Sequence, residues 1–263
     1  HDALPICGEC WFCKHGYINN CEKGGWEVGC RINGTLAEYV RIPFGDQSLN
    51  VIPAGVSDKE CLLVGDVLSS GFFGVDLGEV KEGDTVAVIG CGPVGLCSMM
   101  FCHLRKAKVI GIDINPQCVA FAEDNKYCDW ALNPNECDIK KEVSKLTDGR
   151  GVDCTIENAG TDETFRMSWE LTRPNGIVSL VAMYERDQVL PLPQMYGKNL
   201  VFKTGGVDAT HCDELIELIS QHRLSAMGLI TREFELCDVL DAVEFFRTKP
   251  SHCVKVAISV RPE

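Results

Sequence analysis

At 263 residues, with 45% hydrophobic and 24% charged side chains, the chain has the make-up of an ordinary globular protein with room for one large core or two modest ones. Its 25 basic residues against 38 acidic ones leave a formal charge of -13, which repels a nucleic-acid backbone, and the densest basic group, Arg105-Lys106-Ala107-Lys108, is too small to reverse that. No apolar run approaches the roughly 20 residues of a membrane span, and His1-Asp2-Ala3-Leu4-Pro5 has no basic start leading into an apolar stretch, so a cytoplasmic protein without nucleic-acid or membrane partners is expected.

The opening residues read as loop, rich in Cys, Gly, Asn and Trp. Leu36-Ala37-Glu38-Tyr39-Val40 and Leu49-Asn50-Val51-Ile52 alternate like short strands, the second ending at Pro53. From Asp58 the pattern becomes helical and runs into Gly71-Phe72-Phe73-Gly74. Thr85-Val86-Ala87-Val88-Ile89 is a short apolar run of the kind found in a parallel strand buried on both faces. An alternation then repeats: helix from Gly92 to about Leu104, strand 109–112, helix from Pro116, strand around Trp130-Ala131-Leu132, helix from about Asp138 to Leu146, strand 152–157, helix from about Glu163 to Leu171, then strands 177–181 and 200–203. Strands alternating with helices in this way predict a doubly wound α/β sheet.

The tail reads differently, as a helix around 214–219, a strand at 229–234, an amphipathic helix from Val239 to Phe246 and a closing strand at 254–260. Too small to stand alone, it is expected to return to the N-terminal lobe. The expected division is therefore 1–66, with a cysteine-rich lobe at about 5–25; an inserted doubly wound domain at 67–208; and a return at 209–263.

Many of the sixteen cysteines sit singly in apolar stretches, where a thiol is a small hydrophobe. Cys7, Cys10, Cys13 and Cys21 differ. They form a C-x-x-C-x-x-C run with a fourth thiol close behind, in a polar loop that cannot build its own core. Four thiolates close a tetrahedral shell with no place for water, which predicts a structural zinc; reduced surface thiols or an iron-sulfur cluster are the alternatives. Cys30 breaks the spacing.

Gly90-Cys91-Gly92-Pro93-Val94-Gly95 follows a buried strand and opens a helix, the context a G-x-G-x-x-G turn needs to bind a dinucleotide. Gly90 permits the turn, Gly92 lets a pyrophosphate approach the backbone, Gly95 lets helix and strand lie close, and free N-H groups at the helix start meet the phosphate charge. Asp113, closing the next strand, suits the ribose hydroxyls of NAD. Ile114-Asn115-Pro116 supplies no cation for the extra phosphate of NADP. Ala159 and Gly160 after one strand, and Val181 and Ala182 at the end of another, are candidates for the nicotinamide side, with ordinary loop and core roles as the alternative.

Together the cysteine loop, the glycine turn and the order of lobes resemble the zinc-dependent medium-chain alcohol dehydrogenase family, bacterial secondary-alcohol and formaldehyde-type branch, over the whole chain. The resemblance implies a Rossmann domain inserted in an incomplete, β-rich GroES-like catalytic domain. Gly34 to Val40 is similar to the family's G-x-x-A-E-Y strand, and Gly65 to Phe72 to the helix giving a third ligand of the catalytic zinc. Asp66 stands at that ligand's place. Read from the residues alone, Asp66 is an acid in an apolar helix start, costly to bury unless bonded or metal-bound, and a helix N-cap is the other reading. Lys255 stands where the family often sets a base against the cofactor pyrophosphate, although a solvent-facing lysine fits the sequence equally. The remaining zinc ligands and the proton-relay hydroxyl are expected upstream of His1. The implied activity is hydride transfer between NAD and a small or medium alcohol, aldehyde or ketone, in a homodimer or homotetramer joined near Ile177 and Val189 to Pro193. Polyol, threonine and formaldehyde dehydrogenases, or a non-catalytic NAD-binding fragment, are the alternatives.

Overall fold

The computed structural model describes residues 5–25, 27–207, 209–248 and 253–260. The chain divides into one unit of His1–Ser69 with Gly206–Glu263 and another of Ser70–Gly205. Of the domain ends expected from sequence, His1, Asp208 and Glu263 lie outside the described residues.

The first unit begins with loop broken by α1 (Trp11–Lys14), a 3-10 turn at Ile18–Asn20, α2 (Gly45–Ser48) and α3 (Asp58–Cys61). Ser57 starts α3 because its Oγ accepts the Glu60 N-H at 3.3 Å while the Glu60 carboxylate accepts the Ser57 N-H at 2.8 Å. This reciprocal pair satisfies two of the helix's orphan donors. The chain then widens into a π-helical turn, Val64–Leu68, in which Leu68 N-H donates five residues back to Leu63 C=O at 2.9 Å.

The strands expected at 36–40 and 49–52 do not form: among the described residues these segments join no sheet, and the only nearby bridge is Val28 with Ile32. Alternating side chains supply a face, but a strand also needs a neighbouring backbone to pair with. Here Tyr39 is 90% and Val51 87% exposed.

The second unit contains α4 (Ser69–Leu77), β1 (Thr85–Ile89), α5 (Pro93–Leu104), β2 (Lys108–Ile112), α6 (Pro116–Asp124), β3 (Trp130–Leu132), α7 (Ile139–Leu146), β4 (Val152–Glu157), α8 (Asp162–Leu171), β5 (Thr172–Leu180), α9 (Leu192–Met195) and β6 (Val201–Thr204). All the strand pairs are parallel and the sheet order is β3-β2-β1-β4-β5-β6. Such an order reverses direction between β1 and β4, and in doubly wound sheets ligands bind in the crevice at the carboxyl end of that point.

Local chemistry starts each helix. Asn115 caps α6 by accepting the Gln117 N-H at 3.0 Å, with Pro116 in the first turn; Asp138 and Thr161 cap α7 and α8. Ala87, Ile89, Ile110, Ile112 and Val152 pack against Ile139, Val143 and Leu171, and Phe165 and Trp169 of α8 pack on Val178 and Leu180. Each large side chain so buried contributes about 1.5–3 kcal/mol. At the amino ends of the strands, Asp153 accepts the Thr85 N-H at 2.9 Å and Arg173 Nε at 2.7 Å. Burial pushes its carboxyl up, but these donors outweigh burial and hold it below the usual range. β5 begins at Thr172, earlier than the period predicts, and its register against β4 is irregular between Val152 and Cys154.

The chain returns to the first unit as α10 (Cys212–Ser220), β7 (Ile230–Glu235), α11 (Val239–Thr248) and β8 (Lys255–Ser259), with β7 and β8 parallel. Asn50 Nδ2 donates to Asp213 Oδ1 at 2.6 Å, Lys59 pairs with Glu233 at 2.7 Å, and Ser69 Oγ lies 3.7 Å from Cys212 Sγ, so the two ends of the chain are stitched into one body. No helix of the described residues is long and apolar enough to cross a membrane.

Candidate cofactor and metal sites

The structure brings Cys7, Cys10, Cys13 and Cys21 together, their sulfurs all within 4.8 Å of one another. A zinc at about 2.3 Å from each of four sulfurs requires sulfur spacings of about 3.8 Å, so the donor set fits that metal. The local backbone supports it. Cys7 N-H points at Cys21 Sγ at 3.2 Å, Cys10 N-H at Cys7 Sγ at 3.4 Å, and Cys10 Sγ lies 3.5 Å from Cys13 Sγ. Backbone N-H groups of Cys13 and Glu22 lower the Cys10 thiol to about 6, and the N-H of Glu9 and of Cys10 lower Cys7. Cys13 is pushed up to about 12 by burial and by its neighbour Cys10. Part of the cluster is thus ready as thiolate, and Cys13 holds a proton that a dication would displace. Cys30 is exposed and outside the group.

Asp66 sits half-buried within the π-helical turn. The cysteine cluster is the one group of three or more ligand-type side chains gathered among the described residues, and Asp66 does not belong to it. A single carboxylate does not hold a catalytic zinc, so the described residues do not fit that second metal. Lys255 opens β8, partly buried, with its carbonyl accepting Thr231 Oγ1 at 3.1 Å.

In the second unit the glycine turn links β1 to α5. Gly90 has φ +96°, which only glycine adopts without strain, and its N-H donates to Ile112 C=O at 2.8 Å. A Cβ on Gly95 would stand 1.8 Å from Gly90 O, so helix and turn meet only because that position is bare. At Gly92 the reverse holds: a Cβ would meet nothing within 4 Å. Open space therefore lies in front of the helix that Pro93 begins, where the first-turn N-H groups of a helix, such as that of Val94, have no partner within the helix itself. This is a cradle into which a pyrophosphate fits.

Asp113 follows β2, its Oδ2 accepting the Cys91 N-H at 2.7 Å and its Oδ1 the Asn115 N-H at 2.8 Å; Ile114 beside it is 65% exposed. Turn and acid are thus one assembly. At the other side of the reversal point stands Glu157, 0% exposed, a residue whose importance the sequence reading missed. Its Oε1 accepts the N-H groups of Ala159 at 2.8 Å and Gly160 at 2.9 Å, its Oε2 accepts the Tyr184 hydroxyl, and its backbone carbonyl accepts Val181 and Ala182 N-H. Burial, and then the Glu157 carboxylate, push the Tyr184 phenol up. One residue therefore fixes both strand ends singled out from sequence. The available signal was an acid closing an apolar strand run. A cavity of about 450 Å³ opens beside them, lined in part by Ala159, Gly160 and Met183.

A Rossmann domain with a glycine turn tied to an acid at the end of the next strand, carried by a chain that also gathers four thiols, has the make-up of a zinc-binding nucleotide-dependent dehydrogenase. Residues 93–221 match the family described as zinc-binding dehydrogenase. An alcohol dehydrogenase of Cupriavidus necator is 35% identical over 262 residues, 97% of this chain and 69% of that protein. The NADP-dependent isopropanol dehydrogenase of Thermoanaerobacter brockii is 27% identical over 242 residues, 89% of this chain and 68% of its own. Among solved structures, alcohol dehydrogenase TADH from Thermus sp. ATN1 superposes with a TM-score of 0.91 at 29% identity, covering 97% of this chain and 75% of that one. The chain belongs to the zinc-type, medium-chain alcohol dehydrogenase family.

Proposed function

We propose that this chain serves an NAD-dependent oxidoreductase that exchanges hydride between the carbinol carbon of a small or medium alcohol and the nicotinamide ring, forming the aldehyde or ketone. The observation that carries the reading is the single assembly of open turn at Gly92 and carboxylate at Asp113, joined through the Cys91 N-H. When bound, NAD supplies the hydride acceptor. The chain's own part is placement. Gly90, Gly92, Pro93, Val94 and Gly95 receive the pyrophosphate, and Asp113 with Ile114 receives the adenosine ribose. Ala159, Gly160, Val181 and Ala182, held by Glu157, shape the nicotinamide side.

A carboxylate at 113 favours NAD over NADP, whose added phosphate would face a like charge. That differs from what the name of the Thermoanaerobacter relative says of its own cofactor. Asp66 is proposed as one ligand of a catalytic zinc on the strength of its half-buried place in a π-helical turn, a feature frequent at functional sites. No chemical step is assigned to that metal. Association near Val189 to Pro193 belongs to the same reading, supported by exposed Val189, Leu190 and Leu192. The strand at Ile177, also expected there, is β5 and pairs with β4 and β6 on both sides, so the sheet edge beside that segment is β6.

The competing reading, a non-catalytic NAD-binding module, draws on the single closed metal cluster. The zinc-loaded protein, assayed for NAD reduction over primary and secondary alcohols, polyols, threonine and formaldehyde adducts, separates the two. Turnover on any class identifies the substrate and removes the module; NADH binding without turnover in protein that carries a second zinc selects the module; absence of NADH binding removes both.

A further inference from the structure

Asn158 is the first residue past β4, beside the point where strand order reverses. Its N-H donates to Ile89 C=O at 2.8 Å, and its carbonyl carbon stands 3.3 Å from where a Cβ on Gly90 would lie. The side chain is in a different situation. Both Oδ1 and Nδ2 are closed off from solvent, and neither meets a hydrogen-bonding group of the protein. Neighbouring buried polar side chains are all paired: Ser98 Oγ donates to Val94 O at 3.1 Å, Ser179 Oγ to Gly74 O at 2.8 Å, and Thr155 bonds Thr172 at 2.8 Å. Among the described residues, Asn158 alone carries buried side-chain atoms without a partner. An amide left so costs the fold the desolvation of its two polar atoms, a cost that an apolar residue would remove.

We propose that Asn158 is a cofactor contact whose carboxamide pairs with the ribose on the nicotinamide side of the dinucleotide. The proposal rests on the dinucleotide reading above. Gly92 marks the pyrophosphate and Asp113, at the end of β2, the adenosine ribose. The other half of the molecule must therefore leave the pyrophosphate on the β4 side. The first group it presents there is its second ribose, whose adjacent hydroxyls each donate and accept. A carboxamide offers one donor and one acceptor side by side, which matches that pair. Asn158 is only partly covered although its amide is sealed, and on this proposal the side chain turns toward the cofactor when it binds. Glu157 keeps the strand end from withdrawing, through its bonds to Ala159, Gly160 and Tyr184.

The test titrates the zinc-loaded chain and its Asn158→Ala variant with NADH, ADP-ribose and ADP, and melts both without nucleotide. The variant is expected to melt at the same temperature or higher. It should lose about tenfold in affinity for NADH and for ADP-ribose alike, about 1.4 kcal/mol, while ADP binding holds within about twofold. Loss confined to NADH would move the amide to the nicotinamide carboxamide and overturn the ribose assignment. Equal loss for all three would mean damage to the turn, and no loss would mean an amide satisfied by trapped water; either overturns the proposal. Should the alanine variant not fold, Asn158→Ser reads the same three ligands. If the unaltered protein binds none of them, the dinucleotide reading itself fails, a result visible without any variant.

Discussion

Asp113 Oδ2 accepts the Cys91 N-H at 2.7 Å, so the acid closing β2 is tied to the middle of the turn closing β1. The carboxylate proposed to receive the ribose therefore also holds the turn. Asp113→Gly is expected to weaken NADH binding by about ten- to a hundredfold, since a charge-assisted bond is worth about 1.5–3 kcal/mol. It should also narrow the preference for NADH over NADPH. Dissociation constants for both nucleotides check this, and an unchanged ratio contradicts the assignment.

Gly92 and Gly95 respond oppositely to the same change. Gly92→Ala places its methyl in open space and should leave the melting temperature unaltered while reducing NADH affinity, because the pyrophosphate loses its approach. Gly95→Ala drives a methyl to 1.8 Å from Gly90 O and should destabilise the fold by about 1–3 kcal/mol or more. Thermal melts beside nucleotide titrations separate the two; equal effects on stability would refute the geometry.

Zinc uptake at pH 7 should release fewer than four protons, because Cys10, held at about 6, is already mostly ionised there. A thiol whose folded value is depressed favours the fold above its free range and loses that contribution as pH falls through about 6. Proton release should accordingly rise on going from pH 7 to pH 5, with weaker zinc retention. Calorimetric titration in buffers of different ionisation enthalpy measures the number. Cys10→Ser should abolish the bound metal and lower the melting temperature.

Tyr184→Phe leaves Glu157 Oε2 buried without its donor, while the edge-on packing of ring 184 against Phe165, at 6.0 Å, is kept. The expected loss is about 1–3 kcal/mol of stability, read from denaturant unfolding. Pairing it with Glu157→Gln should recover part of that loss; full additivity of the two would show that the residues do not act together.

The second unit was legible in sequence because its signals are local. Thr85 to Ile89 announces a buried strand, Gly90 to Gly95 a turn with a fixed geometry, and Asn115-Pro116 and Asp138 the starts of helices. The four cysteines were legible because their spacing is itself the constraint. What escaped was non-local. Leu36 to Val40 has strand chemistry, yet alternation does not say whether a partner backbone arrives. The π-helical turn at Val64–Leu68 leaves no periodic trace over so short a span. Glu157 read as one more strand residue, since Tyr184, the partner of its second carboxylate oxygen, arrives from beyond β5 and only once the sheet has formed.

The first unit is assembled from both ends of the chain, with Asn50, Lys59 and Ser69 meeting Asp213, Glu233 and Cys212. As the polypeptide leaves the ribosome, the segment around Asn50, Lys59 and Ser69 must therefore wait for residues 212–233 to be made. The intervening Rossmann sheet can fold meanwhile. Phe73 near its start reaches to about 3.2 Å of the Cβ position at Gly205, at its end, so once folded it delivers its two connections side by side. A long flexible loop would raise the entropic cost of closing the first unit; the finished sheet lowers it. Co-translational folding should thus run from the Rossmann sheet outward, with the body around Asn50, Lys59 and Ser69 closing after it.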